Sequence, residues 1–348
     1  MNIAAAYASR FYRQFRNEVL VQPAKMAVVV FCAVLLVLPL LTQDSYTLRV
    51  LILASIFAIF ASSWDLLSGF TGQMNFGHAL FFGVAAYTSA LVNIHTGLPP
   101  ALTIPIGAMA AVVAGLIVGI PCLRLRGPYL ALATLAFPLI LAGIVFAVPG
   151  ITGGELGLSG ISPLAGSRVI SYYIAVCLLL VLGFTMWKIT TSHTGILFHA
   201  IREDEVTARA SGINTTRYKL MAFCLSGLFA GIAGGLYVHF IRIAGPSTLE
   251  LLLSFQAIIW AVFGGVATIY GPVVGVFILF PATEFLRVAP ELRMLIFAIM
   301  VLLVLLFMPE GITIWLRDKV EKECPRCKLR NIALRRTCRV CQTALDQV

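Results

Sequence analysis

The sequence predicts an all-α, polytopic membrane protein with about ten transmembrane helices, followed by a small polar tail. Three observations predict it. Of 348 residues, 60% are hydrophobic and only 11% are charged, against roughly 45–50% and about 25% in soluble domains. The apolar residues arrive as successive runs close to the roughly 20 residues that a helix needs to cross a bilayer. The basic residues concentrate on alternate connecting segments, as the orientation of membrane helices requires. At a mean hydropathy of +0.96 the chain could not cover its own surface in water. That excludes a soluble enzyme, a disulfide-rich secreted scaffold and a disordered protein.

Taken in order, the spans fall near 26–41, 48–64, 76–95, 101–122, 128–148, 170–187, 219–240, 253–269, 272–286 and 293–308. Arg10, Arg13, Arg16 and Lys25 precede the first and place the N-terminus in the cytoplasm. Alternating from there, the cytoplasmic segments hold those four Lys/Arg, then two (Arg124, Arg126), five (Lys188 to Lys219) and nine (residues 309–348). Twenty of the 25 basic residues therefore lie on one side. The expected location is the cytoplasmic (inner) membrane, multi-pass, with both termini cytoplasmic. The net charge of +10 reads as topology and argues against a nucleic-acid partner.

The first apolar run has the length of a signal-peptide core, but Leu40-Leu41-Thr42-Gln43-Asp44 offers no small-x-small cleavage pattern, so an uncleaved helix is expected. Ahead of it, Ile3, Tyr7, Phe11, Phe15 and Val19 recur every four residues, opposite Arg10, Arg13 and Arg16. Residues 1–25 thus read as a basic amphipathic arm on anionic membrane lipid. A ten-helix domain is expected over 26–312 and a cytoplasmic tail over 313–348.

Cys32, Cys122, Cys177 and Cys224 lie singly in apolar spans and read as packing residues. The other four form a pattern: Cys324, Cys327, Cys338 and Cys341 make two C-x2-C knuckles ten residues apart. Such knuckles let four thiolates converge on one structural Zn2+. So polar a tail needs the energy of metal binding to fold. The spacing, with Asn331 between the knuckles, resembles the small zinc-ribbon modules appended to many bacterial and archaeal proteins. Four cysteines close the coordination sphere, so no catalytic metal is implied. Arg326, Lys328, Arg330, Arg335, Arg336 and Arg339 suit phospholipid headgroups.

Several catalytic signatures are missing from the sequence. It contains no G-x-x-x-x-G-K-[ST], no H-E-x-x-H and no G-x-S-x-G. The intramembrane ionisable residues are chiefly Asp65, His78 and Glu284. Asp65 and Glu284 lie near span ends, where snorkelling or an interfacial partner accounts for them. Gly227, Gly231 and Gly235, Gly115 with Gly119, and Gly271 with Gly275 mark faces for close helix approach. The stretch Gly69–Gly77 instead breaks an apolar path with Gly, Gln and Asn. Irregular backbone at membrane depth is tolerated where it is buried or lines a cavity. Gln73, Asn75 and His78 are therefore the candidates for a substrate pathway, with helix bridging the alternative role for His78.

The longest polar island between spans is 188–218. Residues 199–219 (HAIREDEVTARASGINTTRYK) read as a short amphipathic helix followed by a turn at Gly212-Ile213-Asn214. Ile201, Val206, Ala208 and Ala210 supply small apolar surface, and Arg202, Glu203, Asp204, Glu205 and Arg209 supply charge. Such a helix suits a groove on a cytoplasmic partner.

Here the residues carry a family resemblance. Glu205, Ala208 and Gly212 stand in the order E-x-x-A-x-x-x-G, which resembles the loop by which permeases of ATP-binding-cassette importers dock on their ATPases. Residues 72–92 (GQMNFGHALFFGVAAYTSALV), 123–137, 151–161, 200–214, 263–275 and 307–312 resemble, in order, the LivM-type permease of branched-chain amino-acid importers. The resemblance covers about 45–315 and implies a ten-helix permease that is not itself an enzyme. It implies that Arg202, Glu203, Glu205, Ala208 and Gly212 form the coupling loop. It also implies a second permease subunit of LivH type, ATP-binding subunits that supply ATP hydrolysis, and an extracytoplasmic substrate-binding protein. The solute would be a branched-chain amino acid or a related small polar molecule such as urea, an amide or an aromatic acid.

The chain departs from the family at Pro138, Leu139 and Ala142, where Gly, Glu and Arg are usual, and at Asn75, commonly Ser. Two other readings stand beside it. One is an ion-coupled secondary transporter, which calls for carboxylates buried in mid-span. The other is a membrane signalling protein with the zinc-binding tail as its output.

Overall fold

The computed structural model describes residues 23–42, 44–122, 125, 127–286, 295, 298–299, 301–302, 306–308, 310–327, 330–332, 337–338 and 340–344. The expected amphipathic arm, Arg124, Arg126 and most of the tenth span lie outside them. The chain divides into two compact units, Met1–Leu41 with Ile312–Val348, and Thr42–Gly311.

In the larger unit the apolar runs form helices: α2 (Ser45–Trp64), α3 (Ala79–Thr96), α4 (Pro100–Cys122), α5 (Pro128–Ala147), α6 (Arg168–Thr191), α7 (His193–Glu203), α8 (Glu205–Ala210), α9 (Thr215–Ile241), α10 (Leu251–Gly264) and α11 (Tyr270–Phe285). Among the described residues, six helical stretches are long and apolar enough to cross a membrane: Ser45–Gly69, Ala79–Thr96, Pro100–Cys122, Pro128–Ala147, Arg168–Thr191 and Thr215–Ile241. Met26–Leu40, Leu251–Gly264 and Tyr270–Phe285 are shorter apolar helices. Local chemistry sets the boundaries. Asp44 caps α2 by accepting from the Thr47 amide, Ser167 caps α6 through the Ile170 amide, and Asn214 caps α9 through the Arg217 amide. Each satisfies a donor that the first helical turn leaves unpaired.

The helix α2 is the axis of this unit, with 94% of its apolar window buried, whereas α5 buries only 28% and turns a broad apolar face outward. Around α2, the helices α3, α4 and α9 pack on one another, while α6, α9, α10 and α11 also border α2. The glycine faces read from the sequence are where this happens. A Cβ on Gly231 would stand 2.8 Å from Ala108 Cα, and one on Gly235 3.1 Å from an Ile104 methyl, both on α4. Gly115 and Gly119 of α4 in turn face Phe223 of α9. Gly271 and Gly275 meet the backbone of the α10 end at Gly264, Gly265 and Trp260. Without a hydrophobic drive between helices in lipid, close backbone approach is what holds them.

At one end of the bundle the connection 149–166 folds back on the chain. Leu158 and Ala244 exchange backbone hydrogen bonds (2.8 and 3.0 Å). His239 on α9 donates from Nδ1 to the Ser162 carbonyl (2.9 Å), and its Nε2 lies 2.7 Å from Thr103 Oγ1 and 3.1 Å from Ser89 Oγ. One ring therefore ties α3, α4 and α9 to the connection.

In the smaller unit, α1 (Pro23–Leu41) keeps company with the C-terminal segment. There α12 (Ile312–Val320) leads into an antiparallel pair, β1 (Glu321–Glu323) and β2 (Arg330–Ile332), with Lys322 opposite Asn331.

Candidate functional site

The site grows from the end of α2. After Trp64 the helix widens into a π turn at Asp65–Gly69, a form that recurs at functional positions because it breaks the regular hydrogen-bond ladder. Residues 72–78 then run irregularly to α3. Alternation along this stretch buries Gln73, Asn75 and His78, while Met74 is 55% exposed.

The three sequence candidates do come together, and their polar atoms face inward. Gln73 Nε2 donates to Thr71 Oγ1 (3.0 Å) and to the Lys219 carbonyl (3.4 Å). Ser68 Oγ donates to the Gln73 carbonyl (2.9 Å) and accepts from the Asn75 amide (3.2 Å). Asn75 Oδ1 accepts from Gly77 N (2.9 Å), and its Nδ2 donates to His78 Nδ1 (3.3 Å). His78 Nε2 lies 2.9 Å from Ser63 Oγ, whose own proton goes to the Phe60 carbonyl (2.6 Å). This pattern fixes the tautomer with Nε2 carrying the proton. His78 is thus a bridge between α2 and the start of α3. Ser63 and Trp64, whose Nε1 donates to the Asn75 carbonyl (2.7 Å), complete the set. The sequence did not single them out, since Ser and Trp in an apolar span carry no pattern of their own.

Asp65 differs from its expectation. It does not snorkel to an interface: it is wholly buried, with Oδ1 accepting from the Ala267 amide (2.7 Å). Ala267 has φ +60, a left-handed conformation costly for a residue with a Cβ, and the Asp65 bond holds it at the turn between α10 and α11. Glu284 is half-buried near the end of α11.

Five of the six motif segments converge here. Gly77 lies against the Thr134 backbone of 123–137, at a distance that leaves no room for a Cβ, and Phe76 N donates to Thr134 Oγ1 (3.1 Å). Asp65 reaches Ala267 of 263–275, and Gly311 of 307–312 lies on the Gly265 backbone. Arg202 of 200–214 donates from Nη1 to the Gly69 carbonyl (2.6 Å), with its stem on Gly72. The sixth segment, 151–161, makes the Leu158–Ala244 pairing at the other end.

The loop that bears Arg202 is two helices, where one was expected. The break falls at Asp204, which caps α8 through the Val206 and Thr207 amides (2.8 and 3.2 Å). Bonds from the Thr207 hydroxyl and amides hold the Asp204 carboxyl below the usual carboxylate range. Burial depresses His199 in α7. Glu205 pairs with Arg209 (2.9 Å) and with Lys219 at the start of α9 (2.5 Å). Of the expected apolar surface, Ile201 and Ala208 turn inward and Val206 is 63% exposed. Ala210 is also exposed, and Glu203 stands on the outer side. Gly212 turns at φ +84 with open space around it.

In the smaller unit the ligand atoms of Cys324, Cys327, Cys338 and Cys341 all lie within 4.8 Å of one another. Cys324 and Cys341 are 3.3 Å apart, and Cys327 stands 3.5 Å from both Cys338 and Cys341. A tetrahedron of thiolates with bonds of about 2.3 Å has edges of about 3.8 Å, so the four sulfurs could hold a metal ion. The Val340 and Cys341 amides, turned toward Cys338, pull its thiol down to about 6. Bonds from Thr343 lower Cys341. Asn331 Nδ2 points at Cys338 Sγ (3.6 Å).

Stacked apolar helices long enough to cross a bilayer define a multi-pass membrane protein. The family model for the permease component of branched-chain amino acid transport systems matches residues 46–305, and the chain belongs to that family. The high-affinity branched-chain amino acid transport system permease protein LivM of Escherichia coli K12 is 29% identical over 314 residues, 82% of this chain and 72% of the relative. LivM of Salmonella typhimurium is 28% identical over 302 residues, 78% and 71%. LivH of Escherichia coli K12 is 25% identical over 297 residues, 78% of this chain and 94% of the relative.

Proposed function

We propose that this chain is one of two permease subunits in an ATP-driven importer of branched-chain amino acids or related small polar solutes. Its partners would be a LivH-type permease, ATP-binding subunits that hydrolyse ATP, and an extracytoplasmic substrate-binding protein. Residues 193–214 are the docking loop, with Val206, Ala210, Glu203 and Arg209 facing the ATPase, and they lie in the cytoplasm with both chain ends. Glu205, Ala208 and Gly212 shape the loop from within. The solute passes beside 72–78, which Gln73, Asn75 and His78 hold in place. The observation that carries this reading is the bonding of the loop to that segment. Arg202 grips Gly69, and Glu205 grips Lys219, whose carbonyl accepts from Gln73. Movement of the loop therefore reaches the break directly. We assign Cys324, Cys327, Cys338 and Cys341 to one structural Zn2+ that stabilises the tail.

Reconstitution of the complete complex in proteoliposomes tests the reading. Labelled leucine should enter only with ATP and the binding protein present. Gly212→Asp puts a side chain and a charge at a left-handed turn, and should abolish uptake-coupled ATP hydrolysis while the protein still inserts. Uptake by the two permease chains alone, driven by an ion gradient, would overturn it.

A further inference from the structure

Beside the break stands an arrangement that the docking loop alone does not require. Asp65 is wholly buried. Its Oδ1 accepts from Ala267 and the Thr268 amide faces the same carboxylate, yet Oδ2 has no hydrogen-bond partner among the described residues. A carboxylate oxygen left unpaired in a low-dielectric interior is costly. One carbonyl away is a cation. Arg202 Nη1 bonds the Gly69 carbonyl, and the Asp65 carboxylate lies so close to Gly69 Cα that no Cβ fits between them. The Arg202 stem rests on Gly72, with Cγ 3.2 Å from where a Cβ would be, so both groups border the Gly69 peptide.

We propose that Asp65 and Arg202 are positioning residues for transport and form a two-position latch. In the conformation described here Arg202 holds the Gly69 carbonyl. When the 193–214 loop is pushed toward the membrane, the guanidinium moves across to Asp65 Oδ2. Asp65 is bonded to Ala267 and Arg202 belongs to the loop. The exchange therefore transmits loop movement to two places at once, the irregular 72–78 segment and the α10–α11 turn at 265–269. A group with two discrete partners gives a two-state element that a bound ATPase can bias. The glycines serve it sterically: a side chain at Gly69 would displace the carboxylate, and one at Gly72 would displace the Arg202 stem.

The inference rests on the reading of 193–214 as a docking loop, and the test separates the two. In the reconstituted complex, Asp65→Asn keeps an acceptor for Ala267 but removes the charge, and Arg202→Gln keeps a donor for Gly69 but removes the charge. Each should cut ATP-driven uptake about tenfold or more, and the double variant should be no worse than the poorer single one, because the two act as a unit. Arg202→Lys should retain most uptake. Losses that multiply to about a hundredfold in the double variant would overturn the latch, as would near-normal uptake in either single variant. Should Asp65→Asn fail to insert, Arg202→Lys against Arg202→Gln decides, and equal losses in the two would overturn the latch. A wild-type complex without ATP-driven uptake would instead remove the reading of function itself.

Discussion

The 65–78 break and the Cys324–Cys341 cluster are both polar interruptions in an apolar chain, and they are satisfied in opposite ways. At the break the partners of Ser63, Ser68, Asn75 and His78 are supplied by the protein. Ser63, Ser68, Asn75 and His78 exchange hydrogen bonds with backbone and with each other over 2.6–3.3 Å, because a buried polar group left unpaired is costly. In the tail the polypeptide provides four sulfurs and a few knuckle amides, and the Zn2+ proposed for them would supply the rest. The first arrangement is assembled by long-range packing. The second is assembled by local chain and chemistry.

The sharpest way to break this comparison is to remove the ion. Stripping metal with a chelator, or Cys338→Ser, should unfold the tail, since structural zinc contributes on the order of 10–16 kcal/mol in small modules. Thiolate-to-cobalt absorption and proteolysis of 320–344 would read it, while thermal unfolding of the permease helices should not move. Acid should reach the same end. The knuckle amides depress the metal-free Cys338 thiol to about 6, and protons compete with the metal for all four sulfurs, so metal affinity should fall as pH falls. Metal affinity unchanged between about pH 7 and about pH 5 would contradict this.

At the break the effects should be smaller and confined to the larger unit. His78→Leu leaves Asn75 Nδ2 and Ser63 without their partner, each buried group costing about 1–3 kcal/mol. Thermal unfolding in detergent should fall accordingly, and added zinc should not restore it. The smallest effect is expected at the rim. Arg209→Gln removes the exposed ion pair with Glu205 at a cost of about 1 kcal/mol or less. Its readout is the coupling ratio of solute to ATP, which should drop while insertion stays normal.

The contrast also explains what could be read early. Cys324, Cys327, Cys338 and Cys341 were legible because ligand spacing is a local property of the chain, and the sulfurs do converge. The glycine faces were legible for a similar reason, since a four-residue repeat places Gly227, Gly231 and Gly235 on one side of any helix. Asp65 was misread. Its position near a span end fits snorkelling, whereas α2 continues through the π turn and carries it into the core. Val206 and Ala208 looked equivalent in sequence, but the break at Asp204 turned one outward and the other inward. His239 gave no signal, because its partners come from residues 89, 103 and 162.

The sequence by itself determined the membrane class, the helical runs and the four-cysteine cluster, all of which depend on composition or on neighbours a few residues apart. Only the tertiary structure decided that Asp65, Arg202 and Ala267 stand around one glycine peptide, and that Gln73, Asn75 and His78 brace the break with their own hydrogen bonds. Those facts depend on which helix backbones approach closely, and in a bilayer that is settled by packing between segments distant along the chain.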